Sequence, residues 1–155
     1  MPSLGPRGEG WVVLQLLVGG VIVACGLLGA GWPGSAEWPL RAVGIVLEVC
    51  GAILAVLGVR RLGSSFSPFP QPRRQAGLRR DGIYQRVRHP IYGGVIVFAL
   101  GWSLCHSPVA LAPTALLAAV FDLKSRREEL WLTERYPEYA DYRAATRRRF
   151  IPWVI

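Results

Sequence analysis

The sequence is poor in the residues that most often build a metal centre or a covalent framework. Its three cysteines, Cys25, Cys50 and Cys105, are odd in number, far apart and all inside apolar runs. There is no C-x-x-C and no Cys/His pair, which sets aside a zinc site and a disulfide frame. The cysteines read as small apolar fillers. Histidine is almost as scarce, with only His89 and His106. His106 stands in a His-Ser-Pro reversal with nothing polar beside it and reads as a solvent-facing turn residue. Acids number 10 against 18 bases, and the connections 31–39 and 106–108 carry no Lys or Arg at all.

What the chain does have is apolar length. It is 52% hydrophobic while carrying a formal charge of +8. The two coexist because the apolar runs are nearly free of charge and arginines crowd the segments between them. That segregation is the membrane-protein pattern. The length of 155 residues corresponds to a single domain, 1–155.

Residues 11–31 are uncharged and long enough to span a bilayer. The run is too long, and its flanking charge too weak, for a signal peptide. Trp11 and Trp32 mark its ends, where indole favours the interface. A second span covers 40–59, with Arg41 at its edge able to snorkel outward. Glu48 lies near the middle of that span, which makes it either a functional carboxylate or a hydrogen-bonded tie between helices. A third, shorter run covers 91–105, where Gly94 and Gly101 share a face and permit close helix contact. A fourth covers 109–121, interrupted by Pro113. Nothing after Asp122 breaks a helix, so that helix should run on into the aqueous phase.

The expected fold is therefore all-α: a polytopic membrane bundle of four transmembrane helices. The third and fourth form a helical hairpin, and a helical C-terminal extension follows on the cytoplasmic side. The basic loop 60–89 and the tail after Asp122 hold nearly all the positive charge, so both termini are expected in the cytoplasm.

Loop 60–89 carries Arg60, Arg61, Arg73, Arg74, Arg79, Arg80, Arg86 and Arg88 against the single acid Asp81. Topology and contact with lipid headgroups account for most of them. Nucleic acid is excluded as a partner, because a loop between two spans offers no groove-reading element. Within the loop, residues 64–72 alternate proline with aromatics and read as an extended strap at the membrane surface.

The stretch 81–94, D-G-I-Y-Q-R-V-R-H-P-I-Y-G-G, joins this loop to the third span. The residue before a proline is pushed toward extended geometry, and a proline fits the first position of a helix. Arg88 and His89 are thus held at a helix mouth, where the dipole favours anionic or electron-rich groups. On the fourth helix, Glu128, Leu132 and Arg135 share a face. Alone, Glu128 and Glu129 would read as a solvated face, and Arg147–Arg149 as a lipid-headgroup contact. The hairpin would instead set the Glu pair opposite the Arg-His-Pro corner, across a pocket at the membrane surface. A zwitterionic ligand bearing a sulfonium or ribose hydroxyls would suit both walls.

The pattern R-H-P-x-Y-x-G (Arg88, His89, Pro90, Tyr92, Gly94), followed by an apolar hairpin and Glu128-Glu129, resembles the integral-membrane methyltransferases. These are the isoprenylcysteine carboxyl methyltransferases and phospholipid N-methyltransferases. The upstream L-x-x-x-G-x-Y (Leu78, Gly82, Tyr84) and the downstream E-E-x-x-L, Y-P-E-Y-x-x-Y and R-F-I-P match in order, over residues 78–152. The resemblance implies S-adenosyl-L-methionine as cofactor. It places Leu78, Tyr84, Arg88, His89, Pro90, Ile91, Tyr92, Gly94 and Glu128 around that cofactor, with Glu129 supporting Glu128. A lipid-like or isoprenoid acceptor would enter from the bilayer.

The chain departs from the pattern in two places. Lys124 stands where carboxyl-methylating members carry an Arg thought to engage the substrate. Tyr136-Pro137 replaces a Phe-Gly. A carboxylate acceptor would need no base and would be oriented by Lys124; an amine or hydroxyl would need one, from Glu129 or Glu48. Two other readings fit the residues less well. A membrane sterol-reductase-like enzyme using a reduced nicotinamide dinucleotide would carry an Asn at Ile91. A non-catalytic membrane subunit would leave the corner and the Glu pair unexplained.

Overall fold

The computed structural model describes residues 3–71 and 77–152. Pro72, Arg73, Arg74 and Trp153, which the sequence reading assigns to the strap, the basic loop and the tail, lie outside those residues. The chain forms α1 (Glu9–Leu28), α2 (Glu37–Leu62), α3 (Pro90–His106), α4 (Leu111–Arg135) and the short α5 (Tyr139–Ala145). Single 3-10 turns lie at Gly34–Ala36, Gly63–Ser65, Gly82–Gln85 and Pro108–Ala110. By length and composition α1, α2 and α4 can each cross a membrane, and α3 is a shorter apolar helix. This is the polytopic helical membrane bundle expected from the apolar runs.

The ends follow from local chemistry. α2 stops at Gly63, whose φ of 52° lies in the region glycine tolerates best. α3 opens on Pro90 at its first position, with His89 as its N-cap at φ −128° and ψ 63°, outside the helical region. It closes at Ser107, whose hydroxyl accepts from the Val109 amide and donates to the Ala30 carbonyl at 2.6 Å. Pro113 does not interrupt α4. It is the third residue of that helix, where the amide has no intrahelical acceptor to lose. α4 then continues without a break past Asp122 to Arg135, as the sequence implies.

The helix order in space differs from a simple hairpin. α3 does neighbour α4, but its most intimate partner is α2. The reason is a seam of glycines. Gly44, Gly51 and Gly58 are the buried residues of α2, and Gly94 and Gly101 of α3 face them. A Cβ at Gly51 would sit 2.6 Å from the Gly94 carbonyl oxygen, and one at Gly94 would sit 2.6 Å from that of Gly51. The backbones themselves are in contact, a geometry open to small residues where lipid gives no hydrophobic drive to association. Glu48 lies in this seam against Gly101 and Cys105.

On the other side of α3, Val18, Ile22, Ala99, Leu117 and Phe121 make the core between α1, α3 and α4. Trp11 is not an interfacial anchor. It is buried, 3% exposed, beneath the N-terminal lead and beside Gly8. Trp32 is half-buried and donates to the Ser103 carbonyl at 3.1 Å. His106 is likewise not a free turn residue. It ends α3, its ring stacked on Trp102 with centroids 3.8 Å apart.

The seam gives a clear contrast in stability. Gly51→Ala is expected to cost about 1–3 kcal/mol through overpacking. Gly19→Ala, where an added Cβ meets nothing within 4 Å, should be neutral or slightly stabilising. Unfolding midpoints in detergent compare the two, and equal midpoints would refute the seam.

Candidate active site

The site is assembled where the lead into α3, the polar C-terminal end of α4 and the tail converge. The turn Gly82–Gln85 follows Asp81, which is ion-paired with Arg61. Gly82 takes φ 61° there, and the turn aims Tyr84 inward. The Tyr84 hydroxyl donates to the Gly58 carbonyl at 3.4 Å, and its own carbonyl accepts from Tyr142 at 2.7 Å. Burial pushes the Tyr84, Tyr139 and Tyr142 phenols well above their ordinary range, so all three remain neutral donors.

Arg88 and His89 then pair with the tail through their backbone amides. The Arg88 amide donates to the Arg148 carbonyl at 3.1 Å and the His89 amide to that of Arg149 at 2.7 Å. The tail is held so closely that any side chain at Gly93 would collide with the Phe150 carbonyl. The arginine triplet therefore braces the Arg88–His89 corner through its backbone carbonyls, beyond any contact with lipid.

Beneath this corner lies Glu129, 4% exposed. It accepts from Arg88 Nε at 2.9 Å and pairs with His89 Nε2 at 3.1 Å. Arg143 and Arg149 approach it to 3.7 and 3.8 Å. The remaining reach of Arg88 goes to the Thr146 and Arg147 carbonyls, at 2.7 and 2.8 Å from Nη1. Arg149 also pairs with Asp122. Glu128 faces the other way. It accepts from the Tyr92 hydroxyl at 2.7 Å, and His89 Nδ1 stands 3.9 Å from it. The His89 and Tyr92 rings stack, and Tyr92 stacks in turn on Phe121.

These residues face a cavity with an empty volume of about 1100 Å³, its open mouth included. Of the residues singled out in the sequence, Leu78, Tyr84, Arg88, His89, Ile91, Tyr92, Lys124 and Glu128 line it together. Pro90, Gly94 and Glu129 do not. Gly94 packs on Gly51 and Ala55, Pro90 on Gly58, and Glu129 sits behind the wall as the anion for Arg88 and His89. Glu48 is absent from the lining as well.

Several wall residues were not assigned to the site from the sequence: Gln15, Tyr139, Tyr142 and the strap residues Ser65–Pro70. For Gln15 a signal existed, since it is the polar side chain in an otherwise apolar span. Lys124 is 1% exposed and donates to Gln15 Oε1 at 2.5 Å and to the Pro68 carbonyl at 3.0 Å. The Tyr139 hydroxyl is buried with no hydrogen-bond partner among the described residues.

Fold and site together define an integral-membrane protein with a cavity lined by charged, aromatic and apolar side chains. Residues 40–139 match the family model described as phospholipid methyltransferase, and the chain belongs to that family. It is also similar to a protein named as a probable protein-S-isoprenylcysteine O-methyltransferase from Oryza sativa subsp. japonica. The two are 31% identical over 111 residues, 66% of this chain and 58% of the relative. Protein-S-isoprenylcysteine O-methyltransferases B and A of Arabidopsis thaliana are 29% and 26% identical, over 70% and 71% of this chain. The alignments span about 58–60% of the length of these curated relatives.

The two glutamates should separate in a stability measurement. Glu129→Ala leaves Arg88 buried without its anion and is expected to cost about 3–5 kcal/mol. Glu128→Ala removes a carboxylate whose side chain is 25% exposed but leaves the Tyr92 hydroxyl without its acceptor, and the smaller loss should be about 1–2 kcal/mol. Chemical unfolding of both variants in the same detergent checks the difference.

Proposed function

We propose that this chain transfers a methyl group from S-adenosylmethionine to a lipid-like or prenylated acceptor, a carboxylate or an amine, at the cytoplasmic surface of the membrane. The observation that carries the reading is the two-sided cavity. We assign Glu128, Tyr92, His89 and Tyr139 of its lining to one half, and Phe66, Pro68, Phe69, Leu62 and Val95 to the other. Polar and aromatic groups suit the donor, and the apolar half suits an acceptor arriving from the bilayer.

The residues fit the donor on chemical grounds. It brings a methyl group on a sulfonium, a cation that gains from aromatic faces and a nearby carboxylate. Glu128, held by the Tyr92 hydroxyl, is an acceptor for hydroxyls of a bound nucleoside. The buried Tyr139 hydroxyl, unpartnered among the described residues, offers a donor for which a ligand would be a natural match. Glu129 acts through its neighbours: it fixes the orientation of His89 and Arg88 from behind the wall.

Displacement at a sulfonium methyl asks the protein for alignment and for exclusion of water more than for proton transfer. Neither Glu129 nor Glu48 lines the cavity, so a carboxylate acceptor, which needs no base, makes the smaller demand on this wall. The positive-inside bias supports a cytoplasmic side for both termini and for the polar half of the cavity.

Calorimetry in detergent tests the donor half directly. The wild type is expected to bind S-adenosylmethionine at a micromolar dissociation constant, about −8 kcal/mol. His89→Ala and Glu128→Ala should abolish the heat. Tyr139→Phe should weaken binding by up to about tenfold while leaving the unfolding temperature unchanged or higher, since it removes an unsatisfied hydroxyl. A folded wild type that binds no S-adenosylmethionine would refute the reading.

A further inference from the structure

The strap beside the cavity is gripped from both faces. On its inner face, the Pro68 carbonyl accepts from Lys124, whose ammonium also donates to Gln15 on α1. Lys124 Nζ lies 5.0 Å from the Tyr92 ring centroid, so the same cation touches the floor of the cavity. On its outer face, the Gln71 amide donates to the Arg7 carbonyl at 3.4 Å. The Arg7 guanidinium covers the Phe69 ring at 4.8 Å. Among the described residues, the contacts that hold the strap from the N-terminal side come from Arg7, Gly8 and, through Lys124, Gln15. The family match begins at residue 40, so this grip is supplied by a part of the chain outside it.

The strap provides the apolar half of the cavity through Phe66, Pro68, Phe69 and Pro70. It has little structure of its own: after the 3-10 turn Gly63–Ser65 there is no helix or strand up to residue 71. Its position therefore depends on what it is tied to. A lysine this deeply buried must find acceptors, and Gln15 and Pro68 are the two it has among the described residues.

We propose that Gln15 and Lys124 form a latch that fixes the strap as the acceptor-side wall, which makes the first helix a determinant of acceptor specificity. The inference rests on the proposed methyl transfer for what the wall selects, but not for the latch itself. Gln15 is a positioning residue, acting through Lys124 and the strap. An S-prenylated cysteine, with its extended apolar chain, is the class of acceptor whose fit depends most on that wall.

Hydrogen exchange decides the latch without any assay of activity. Gln15→Leu should speed exchange of the Phe69 and Gln71 amides by about tenfold or more, because a hydrogen bond to a charged group is lost. Gln15→Glu, which keeps an acceptor for the ammonium, should hold it near the wild-type rate. If Gln15→Leu fails to fold, Gln15→Leu/Lys124→Met removes both polar partners together and carries the same expectation. Unchanged strap exchange in a folded variant would overturn the latch.

Kinetics with an S-prenylated cysteine then read the specificity. The KM for this acceptor should rise about tenfold in Gln15→Leu, with S-adenosylmethionine affinity by calorimetry unchanged. An equal loss of donor affinity would place Gln15 in the donor half and overturn the assignment. A wild type that binds no donor would overturn the acceptor role together with the proposed function, while the exchange result would still decide the latch.

Discussion

The arrangement depends on one buried ion cluster, the Glu129 carboxylate with Arg88 and His89. Taking such charges out of water costs several kcal/mol per ion, and only good geometry and further hydrogen bonds offset it. Here Arg88 meets that condition by spreading its guanidinium over three partners: Glu129 on α4 and the Thr146 and Arg147 carbonyls of the tail. His89 shares the same carboxylate oxygen. One anion thereby ties the mouth of α3, the polar end of α4 and the tail into a single register. Glu128, one residue away, projects from the neighbouring face of α4 and is left for the cavity. The division of labour between two adjacent acids is a consequence of helical geometry: consecutive side chains point about a hundred degrees apart.

The glycine seam does the corresponding work inside the membrane. Because α2 and α3 touch backbone to backbone, the end of α2 lies close under the start of α3. Gly58 contacts Pro90 and Ile91, and its carbonyl is within reach of the Tyr84 hydroxyl. A larger residue at these positions would move α2 away and take the Tyr84 wall with it. The seam also explains why Gly94 belongs to the matched motif without touching the cavity. Its missing side chain is needed by α2, and the glycine that the tail needs is Gly93.

What could be read in the sequence was what local rules govern. Apolar length gave the spans, the X-Pro restriction gave the His89–Pro90 corner, and the uninterrupted run after Asp122 gave the extension carrying Glu128. Pro113 misled because a proline breaks a helix only where an N–H···O=C hydrogen bond to the preceding turn is lost, and a first-turn position hides that exemption until the helix start is known. The main-chain pairing of Arg88 and His89 with the tail has no side-chain signature. Trp11 looked like an interfacial anchor because its position along the helix is visible in sequence and the direction it faces is not. The partner of α3 was hidden for a related reason: Gly94 and Gly101 announce a close contact without naming the helix that makes it.

Lys124 shows how a departure from a family pattern can make sense on the geometry of one chain. The related position in carboxyl-methylating members holds Arg, whose planar fork matches a carboxylate. Lys124 instead meets an amide oxygen from α1 and a main-chain carbonyl from the strap, two acceptors contributed by separate segments. A compact ammonium with three rotatable donors can satisfy such a pair, whereas a guanidinium would impose its own plane. It would also carry its charge on a bulkier head, in a site where the lysine is already 1% exposed. The substitution thus goes together with two other features, a glutamine in the first span and a proline-rich strap that presents a carbonyl inward. Each is uninformative alone. Taken together they account for why a buried cation is tolerated at the edge of an apolar cavity.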